Sequence, residues 1–321
     1  MLLYRGSMTL TQLEYVLAVN EHKHFGRAAK SCFVTQPTLS MQLQKLEEEL
    51  QITIFDRAKN PIEVTAEGEV VVEQAKKIIL EHKKLYSIVE ESKSEIQGSF
   101  RLAVIPTLSP FIIPMFAKSF NENFPKVNLH ITENKTEDII KMLKDDEIDA
   151  GLLVTPLHEK SIIERKLYYE PFYLFVAEDH PLSKKKLVKE DELDINEIWL
   201  LNKGNCFRDQ VLRICANTKD ANLTNPIDFE SGNFETLKNM VLAGSGYTVL
   251  PHMAIQQLPE GQKKLVRRMA APAPIREVSL VHKKDCVKQK ILGVLEEEIL
   301  ANVPEDLRQI DKDGQQIIEI L

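Results

Sequence analysis

The sequence predicts an α/β protein with a small helical segment at its N-terminus and one long helix between the two parts. Three observations carry this prediction. The N-terminal segment contains three short amphipathic stretches, followed by alternating apolar and polar residues. The next stretch keeps a helical spacing of apolar residues without a proline, and from residue 98 onward strand-like and helix-like stretches alternate. Such alternation is typical of a parallel sheet with crossover helices.

The N-terminal segment has the start signals of three helices. Thr9 and Gln12 have the spacing of a capping box, and FGRAAKS predicts a second short helix. Thr35 is a suitable N-cap for a third helix, which carries four leucines on one stripe: Leu39, Leu43, Leu46 and Leu50. The following ITIFDRAKNPIEVT alternates around a Lys-Asn-Pro turn, as a two-stranded ribbon does. Together these features predict an all-α winged helix-turn-helix over residues 8–65.

Residues 66–97 predict one long linker helix. They contain no proline, and apolar residues recur at spacings of three, four or seven until Gly98 ends the run: Val71, Ala75, Ile78, Leu85, Val89 and Ile96. At ~1.5 Å per residue this helix extends about 45 Å, which is more than one small domain covers. Its apolar stripe therefore predicts packing against a second copy, so that the protein is a homodimer. The alternative is a helix packed on its own α/β region.

The α/β region predicts two similar subdomains joined by crossing strands, because it has more strands than one compact sheet holds. The first subdomain is expected over residues 98–171 and 275–303. The second is expected over residues 172–274, which include two of the cysteines. The tail, residues 304–321, is polar with a short apolar end and has no assignment.

Composition excludes several classes of protein. The 41 Lys and Arg residues are outnumbered by 48 Asp and Glu residues, and the net charge of -7 excludes a generally basic nucleic-acid coat. No run reaches the ~18 uncharged apolar residues of a membrane helix, and the first residues lack the apolar stretch of a signal peptide. We therefore expect a cytoplasmic protein without membrane contact. The cysteines form no CxxC pair and His22 and His24 have no partner at ligand spacing, so no metal and no cofactor are expected.

One segment departs from the acidic average. From His22 to Leu46 there is no acidic residue, and four basic residues there give a local charge of +4 around the predicted third helix. Positive charge beside side chains that can reach base edges suits DNA binding. The stretch FGRAAKSCFVTQPTLSMQLQKLEEELQITIFDR also resembles the helix-turn-helix of LysR-type transcriptional regulators. The matching features are the Ala28-Ala29 pair, the Gln36-Pro37 helix start, Ser40, the Lys45-Leu46-Glu47 run and Phe55 to Arg57.

The resemblance to the LysR family extends over nearly the whole chain. It implies that the long helix opens at TAEGE and leads to a two-lobed effector domain that looks like a periplasmic binding protein. It also implies a homotetramer, in which effector domains pair as well, with double-stranded promoter DNA and RNA polymerase as partners. The residues for which it implies DNA contacts are Thr35, Gln36, Pro37, Thr38, Ser40, Gln44 and, on phosphate, Arg57. Many family members have a basic residue directly after the serine, whereas this chain has Met41.

Two cysteines lie in the segment GNCFRDQVLRIC, with Cys206 and Cys215 nine residues apart. Gly204 and Asn205 would form a turn, so that Cys206 would lie near a helix N-terminus with Arg208 two residues on. Both the helix dipole and the cation would then favour a thiolate. Nine residues of continuous helix span about 13 Å, whereas a disulfide requires less than ~7 Å between Cα atoms. A disulfide between these cysteines would therefore require local refolding.

The same segment is similar to the redox segment of the peroxide-sensing members of the LysR family. The similarity implies that Cys206 is the peroxidatic thiol and Cys215 the resolving thiol, and that their disulfide controls antioxidant genes. It implies a thiol reductant such as glutaredoxin or thioredoxin as a further partner. The implied peroxide pocket contains Thr107, Thr136, Asn205, Arg208 and Arg276. Those relatives usually have histidine where this chain has Asn205.

Two other functions stay open from the sequence. An enzyme such as a thiol peroxidase would use Cys206 catalytically, but it would not need a recognition helix, so we do not expect an enzyme. A LysR-type regulator could instead respond to a metabolite bound between the effector subdomains, where Thr107 and Ser109 follow the first strand. Conversion of two thiols to one disulfide by stoichiometric peroxide distinguishes a peroxide sensor from this alternative.

Overall fold

The computed structural model describes the chain in five stretches: residues 8–92, 95–215, 232–244, 246–311 and 314–319. Residues 216–231, which belong to the predicted second subdomain, lie outside these stretches. The chain divides into two compact units, residues 1–92 and 93–321. Each unit has its own buried hydrophobic core.

The first unit is a winged helix-turn-helix, as the sequence predicts. Its elements are α1 Leu10–His22, α2 Phe25–Ser31, α3 Gln36–Leu50, β1 Phe55–Asp56, β2 Glu63–Val64 and α4 Ala66–Ser92. Thr9 caps α1 through a capping box with Gln12, and Thr35 caps α3, which has Pro37 in its first turn. The strands β1 and β2 pair antiparallel and form the two-stranded ribbon.

The long helix α4 ends at Ser92, before the predicted end at residue 97. The predicted apolar stripe of this helix includes Ile96, but in the structure Ile96 packs against the core of the second unit. Val72, Ala75 and Ile79 of α4 are buried in the core of the first unit. Part of the apolar stripe of α4 is therefore used within the first unit of its own chain.

The second unit is an α/β fold. Its strands are β3 Gly98–Val104, β4 Val127–Glu133, β5 Ala150–Thr155, β6 Ile162–Val176, β7 Leu187–Val188, β8 Ile198–Trp199, β9 Tyr247–Pro251, β10 Val266–Met269, β11 Ala273–Lys283 and β12 Gln315–Ile317. Its α-helices are α5 Ser109–Asn123, α6 Thr136–Lys144, α7 Cys206–Ile214, α8 Phe234–Leu242, α9 His252–Gln256, α10 Glu260–Lys263 and α11 Gln289–Asn302. Short 3-10 turns span Pro181–Lys184, Glu190–Glu192 and Glu305–Leu307.

The long strand β6 takes part in both halves of the sheet. One half has the strand order β4-β3-β5-β11-β6, in which β3 is parallel to β4 and β5 while β11 is antiparallel to β5 and β6. Up to Pro171, β6 pairs with β11, and from Phe172 it pairs with β9. This exchange falls at the predicted boundary between subdomains, and we keep the division into 98–171 with 275–303 and 172–274 as a proposal.

The C-terminal tail is part of the sheet. Strand β12 runs parallel to β11, and the N–H of Ile318 donates to the carbonyl of Ile275 at 2.9 Å. The fully buried Gln210 on α7 donates through Nε2 to the carbonyl of Ile318. The tail, which has no assignment from sequence, therefore contacts the helix that begins with Cys206.

Candidate functional site

Helix α3 has a buried side, which carries leucines, and an opposite side that we call its outer face. Leu39, Leu43 and Leu46 are fully buried. The side chains that point away from this core are exposed: Gln36, Pro37, Thr38, Met41, Gln44 and Lys45. The Thr35 hydroxyl accepts from the N–H of Thr38 at 3.4 Å, and the two threonine hydroxyls lie 2.8 Å apart. The first turn of α3 therefore presents hydroxyl and amide groups to solvent.

Arg57 follows strand β1 and is tied to α3. Its Nη2 lies 2.7 Å from Glu47 Oε2, and its Nη1 donates to Ser40 Oγ at 3.2 Å. The other Glu47 oxygen accepts from the N–H groups of Ile54 and Phe55 at 2.7 and 3.3 Å. One carboxylate therefore holds both the start of the ribbon and the guanidinium that is predicted to contact phosphate. Ser40 and Arg57, two of the predicted DNA contacts, are linked in the protein itself.

A pocket of about 140 Å³ lies at the start of α7. Asn205 caps this helix, because its Oδ1 accepts from the N–H of Phe207 at 3.0 Å, and Cys206 is the first helical residue. The described residues that line the pocket are Ile105, Pro106, Lys135, Thr136, Asn202, Gly204, Asn205, Cys206 and Gly232. The fold thus brings two of the predicted pocket residues, Thr136 and Asn205, together with Cys206, the predicted peroxidatic thiol.

The Thr136 hydroxyl lies next to the Cys206 thiol and lowers its pKa. The hydroxyl oxygen is buried and has no nitrogen or oxygen partner among the described residues. A buried hydroxyl without such a partner costs free energy unless another group satisfies it. A small polar molecule in the pocket would supply the missing hydrogen bond.

Arg276 reaches the site from β11 and is held on several sides. Its Nε and Nη2 lie 2.8 and 2.6 Å from Oε2 of Glu170 on β6, and both side chains are fully buried. Its Nη1 donates to Thr107 Oγ1 at 3.3 Å, and its Nη2 donates to the Thr107 carbonyl at 3.2 Å. The guanidinium carbon lies 5.2 Å from the ring centroid of Phe207. Thr107 therefore supports Arg276. Thr107 itself is not among the described residues that line the pocket.

Arg208 does not act on the sulfur as the sequence spacing predicts. Its Nη1 donates to the carbonyl of Leu201 at 2.8 Å. The cation that lowers the pKa of Cys206 is Arg276 instead. The reason is helix geometry, because side chains two residues apart on an α-helix do not face each other.

Desolvation determines the ionisation of both thiols. Burial raises the pKa of the Cys206 thiol, although the Thr136 hydroxyl and the Arg276 guanidinium oppose this effect. Burial, together with the Glu190 carboxylate, raises the pKa of Cys215 to about 12. The predicted preference of Cys206 for the thiolate is therefore not met in this conformation, since withdrawal of the sulfur from water outweighs the favourable charges.

Cys206 and Cys215 lie at opposite ends of α7. The helix is continuous from Cys206 to Ile214 with Cys215 as its C-cap, so at ~1.5 Å per residue their Cα atoms lie about 13 Å apart. Neither cysteine is in a disulfide, and Cys215 is 1% exposed. The conformation is that of a reduced pair, and a bond between the two sulfurs would require α7 to unwind or shift.

Three polar residues at this site are not among those predicted from the sequence. Lys135 and Asn202 line the pocket, and Glu170 pairs with Arg276. Lys135 directly precedes Thr136, so its position follows once Thr136 is placed. Glu170 lies opposite Arg276 in the register of β6 and β11, and 106 residues separate the two along the chain. No local pattern could have identified that pairing.

The remaining cysteines lie elsewhere. Cys32 and Cys286 are half-buried, and Cys286 Sγ lies 3.9 Å from the carbonyl of Asp149. In the part of the chain that the structure describes, no group of His, Cys, Asp or Glu residues is arranged to hold a metal ion. Within the same residues, no helix is both long and apolar enough to span a membrane.

Comparison with solved structures gives matches along most of the chain. A full-length OxyR variant from Pseudomonas aeruginosa superposes with a TM-score of 0.71 at 32% identity, covering 92% of this chain and 99% of that one. An OxyR mutant from Corynebacterium glutamicum with H2O2 bound gives a TM-score of 0.60 at 25% identity, covering 92% of each chain.

Comparison with characterised sequences gives the same group of proteins. The DNA-binding transcriptional dual regulator OxyR of Escherichia coli K12 is 33% identical over 278 residues, which cover 86% of this chain and 90% of that protein. The hydrogen peroxide-inducible genes activator of Pectobacterium carotovorum is 32% identical over 276 residues, with the same coverage. Residues 10–69 match the bacterial regulatory helix-turn-helix family of LysR type, and residues 93–302 match the LysR substrate binding domain. The chain therefore belongs to the LysR family of bacterial transcription regulators.

Proposed function

We propose that this LysR-family protein is a redox-sensing transcription regulator that responds to hydrogen peroxide through Cys206 and Cys215. The observation that carries the proposal is the pocket at the start of α7, where the Cys206 thiol lies beside the buried Thr136 hydroxyl, which has no nitrogen or oxygen partner among the described residues. Relatives that match most of this chain are described as activators of hydrogen peroxide-inducible genes. Since the family consists of transcription regulators, we propose that the protein is not an enzyme and that the oxidation of Cys206 is stoichiometric.

The proposed chemistry has two steps. The Cys206 thiolate attacks one oxygen of H2O2, the O–O bond breaks, and the departing hydroxide takes a proton to become water, which leaves Cys206 as a sulfenic acid. Arg276 stabilises the thiolate, and the Thr136 hydroxyl holds the peroxide. The Cys215 thiol then attacks the sulfenic sulfur, and a second water leaves as the disulfide forms. The two thiols together lose two electrons, which reduce one peroxide to two waters.

The disulfide changes the protein because it cannot form within an intact α7. The helix buries Phe207, Val211 and Ile214 on one side, so its unwinding removes packed side chains from the core. We propose that this change is passed between paired effector domains and alters the spacing of the DNA-binding units on promoters of antioxidant genes. RNA polymerase and a thiol reductant such as glutaredoxin or thioredoxin complete the proposed set of partners.

The DNA-binding part of the proposal rests on α3. Its exposed outer face carries the predicted contacts Thr35, Gln36, Pro37, Thr38 and Gln44, and the acid-free segment supplies positive charge. Replacing Gln36 with Ala should cost ~1–3 kcal/mol at a specific site if the amide contacts a base edge. An equal loss on random DNA would assign Gln36 to backbone contacts instead.

The test of the redox proposal is to count thiols before and after one equivalent of peroxide and to map the products by mass spectrometry. Wild-type protein should lose two thiols as a Cys206–Cys215 disulfide. Cys215→Ser should accumulate the sulfenic acid and overoxidise, and Cys206→Ser should not react quickly. Cys32→Ser and Cys286→Ser are the matched controls and should behave as wild type. Fast reaction at Cys32 or Cys286 would reject the assignment.

Footprinting of the reduced and oxidised protein on one promoter tests the output. Rigid dimers bind half-sites separated by whole helical turns, each about 34 Å, so a change of spacing should alter the protected region. An unchanged footprint with complete disulfide formation would reject a readout through DNA geometry.

The alternative effector, a metabolite near Thr107 and Ser109, is less favoured because Ser109 donates to Glu133 at 2.6 Å and Thr107 accepts from Arg276.

A further inference from the structure

Met41 occupies the centre of the outer face of α3. At about 100° per residue, Met41 lies about 200° around the helix from Leu39, which is on the opposite side from the buried leucines. Its side chain is 61% exposed, whereas Leu39 is fully buried. Met41 therefore points in the direction in which a recognition helix faces DNA.

The neighbours of Met41 on this face are polar residues and one proline. Pro37 lies one turn before it, and Gln44 and Lys45 lie one turn after it, all exposed. Gln44 donates through Nε2 to Glu48 at 3.0 Å, and Gln42 accepts from Gln12 at 3.3 Å. Two of the amides near Met41 are thus engaged within the protein, and Met41 contributes the apolar surface on this part of the face.

The chemistry of the major groove offers one apolar group to such a side chain. Thymine carries a 5-methyl group there, whereas the other bases present mainly hydrogen-bond donors and acceptors. A methionine is unbranched and polarizable, so it can fit its thioether and methyl group to an irregular apolar surface. On the basis of the DNA binding proposed above, we propose that Met41 packs against the 5-methyl group of a thymine and selects that base.

The proposal defines a division of labour on α3. Polar side chains in the first turn, such as Gln36 and Thr38, would bond to base edges, and basic residues such as Lys45 would contact phosphate. Met41 adds selectivity for one T·A pair without using a hydrogen bond. This contact contributes free energy by removing apolar surface from water, and it therefore depends little on salt.

The experiment starts from a binding site selected from random duplexes by the full-length wild-type protein. Each thymine of that site is then replaced singly by deoxyuridine, which lacks only the 5-methyl group. Wild-type protein should lose about fourfold in affinity at the same position of each half-site, as expected for one buried CH2 group, and little at the other positions. Met41→Ala should bind the thymine and uracil versions of that position equally.

Met8→Ala is the matched control, because it removes a methionine from the same unit outside α3. It should keep the wild-type response to deoxyuridine. Unchanged circular dichroism and unchanged affinity for random DNA would show that Met41→Ala is folded and still contacts phosphate. If no single thymine matters to the wild type, or if Met41→Ala retains the same response, the inference is wrong. If the wild type selects no site at all, the proposed sequence-specific DNA binding fails, and this inference fails with it.

Discussion

A buried ion pair between two residues, Arg276 and Glu170, supports the cysteine pocket. Arg276 and Glu170 are both fully buried, and Glu170 also accepts from the N–H of Met253 at 2.8 Å. Removal of one partner of such a pair leaves an uncompensated charge away from water. Both residues should therefore matter to folding as well as to the reactivity of Cys206.

We predict that Arg276→Met destabilises the α/β unit by about 3–5 kcal/mol, because Glu170 is left buried and unpaired. The double variant Arg276→Met with Glu170→Gln should recover much of this loss. Trp199 is the only tryptophan and lies in β8, so its fluorescence during urea unfolding reports on this unit alone. Additive losses in the double variant would show that the two side chains are not coupled.

The alkylation rates of the two thiols should differ, and both rates should depend steeply on pH. Burial raises the pKa of both, so the reactive thiolate fraction is small at neutral pH and grows by about tenfold per pH unit below the pKa. We predict that iodoacetamide modifies Cys206 before Cys215, whose pKa is raised to about 12, and that the Cys206 rate rises from pH 7 to pH 8. A Cys206 rate that is already constant over this range would mean that its pKa is lowered rather than raised.

A hydrogen bond joins helix α7 to the residue that follows the C-terminal strand β12. Gln210 on α7 donates to the carbonyl of Ile318, which is 8% exposed and part of the α/β core. These contacts exist while α7 is helical and in place. Any change that unwinds α7 must also release Gln210 from the tail.

We predict that a chain ending at residue 313 forms the Cys206–Cys215 disulfide faster than wild type at equal peroxide, because the tail no longer stabilises the helical α7. Quenched samples resolved by mass spectrometry would measure the rate. A chain ending at residue 319 keeps the described contacts of β12 and Ile318, and it is the control. Equal rates for all three chains would show that the tail does not restrain α7.

The whole molecule is expected to be an oligomer that assembles through α4. Leu85 and Ile88 near the end of α4 are 59% and 52% exposed, which is unusual for large apolar side chains on one short stretch. Ile78, which the sequence places on the same stripe, packs against the core of the first unit. A charge at Ile78 would therefore disturb folding, and Leu85 and Ile88 are the better probes of assembly.

We predict that Leu85→Glu and Ile88→Glu convert the wild-type oligomer into smaller species, because a charge on an apolar interface must be desolvated. Light scattering at micromolar concentration would measure the mass. At about 100° per residue, Lys76 lies about 180° and 120° around α4 from Leu85 and Ile88, so Lys76→Glu places an exposed carboxylate away from them and should leave the mass unchanged. A wild-type protein that is monomeric under these conditions would contradict the prediction.

The sequence by itself determined those features that depend on neighbouring residues. Thr9 and Thr35 cap their helices, Leu39, Leu43 and Leu46 of α3 are buried, and Asn205 caps the helix of Cys206, as the local patterns predict. Caps and stripes follow from the spacing of a few residues, since backbone hydrogen bonding and helix periodicity act over one or two turns. The likeness to the LysR family was visible for the same reason, because its motifs are short and contiguous.

Only the tertiary structure decided which groups surround the sulfur and how it ionises. Arg276, which the resemblance implies for this pocket, acts on the sulfur whereas Arg208 does not, and its partner Glu170 comes from a strand far from it in sequence. The raised pKa of Cys206 and the position of Ile318 against α7 likewise depend on burial. Burial and long-range pairing arise when distant segments exclude water together, and no local pattern of residues records which segments those will be.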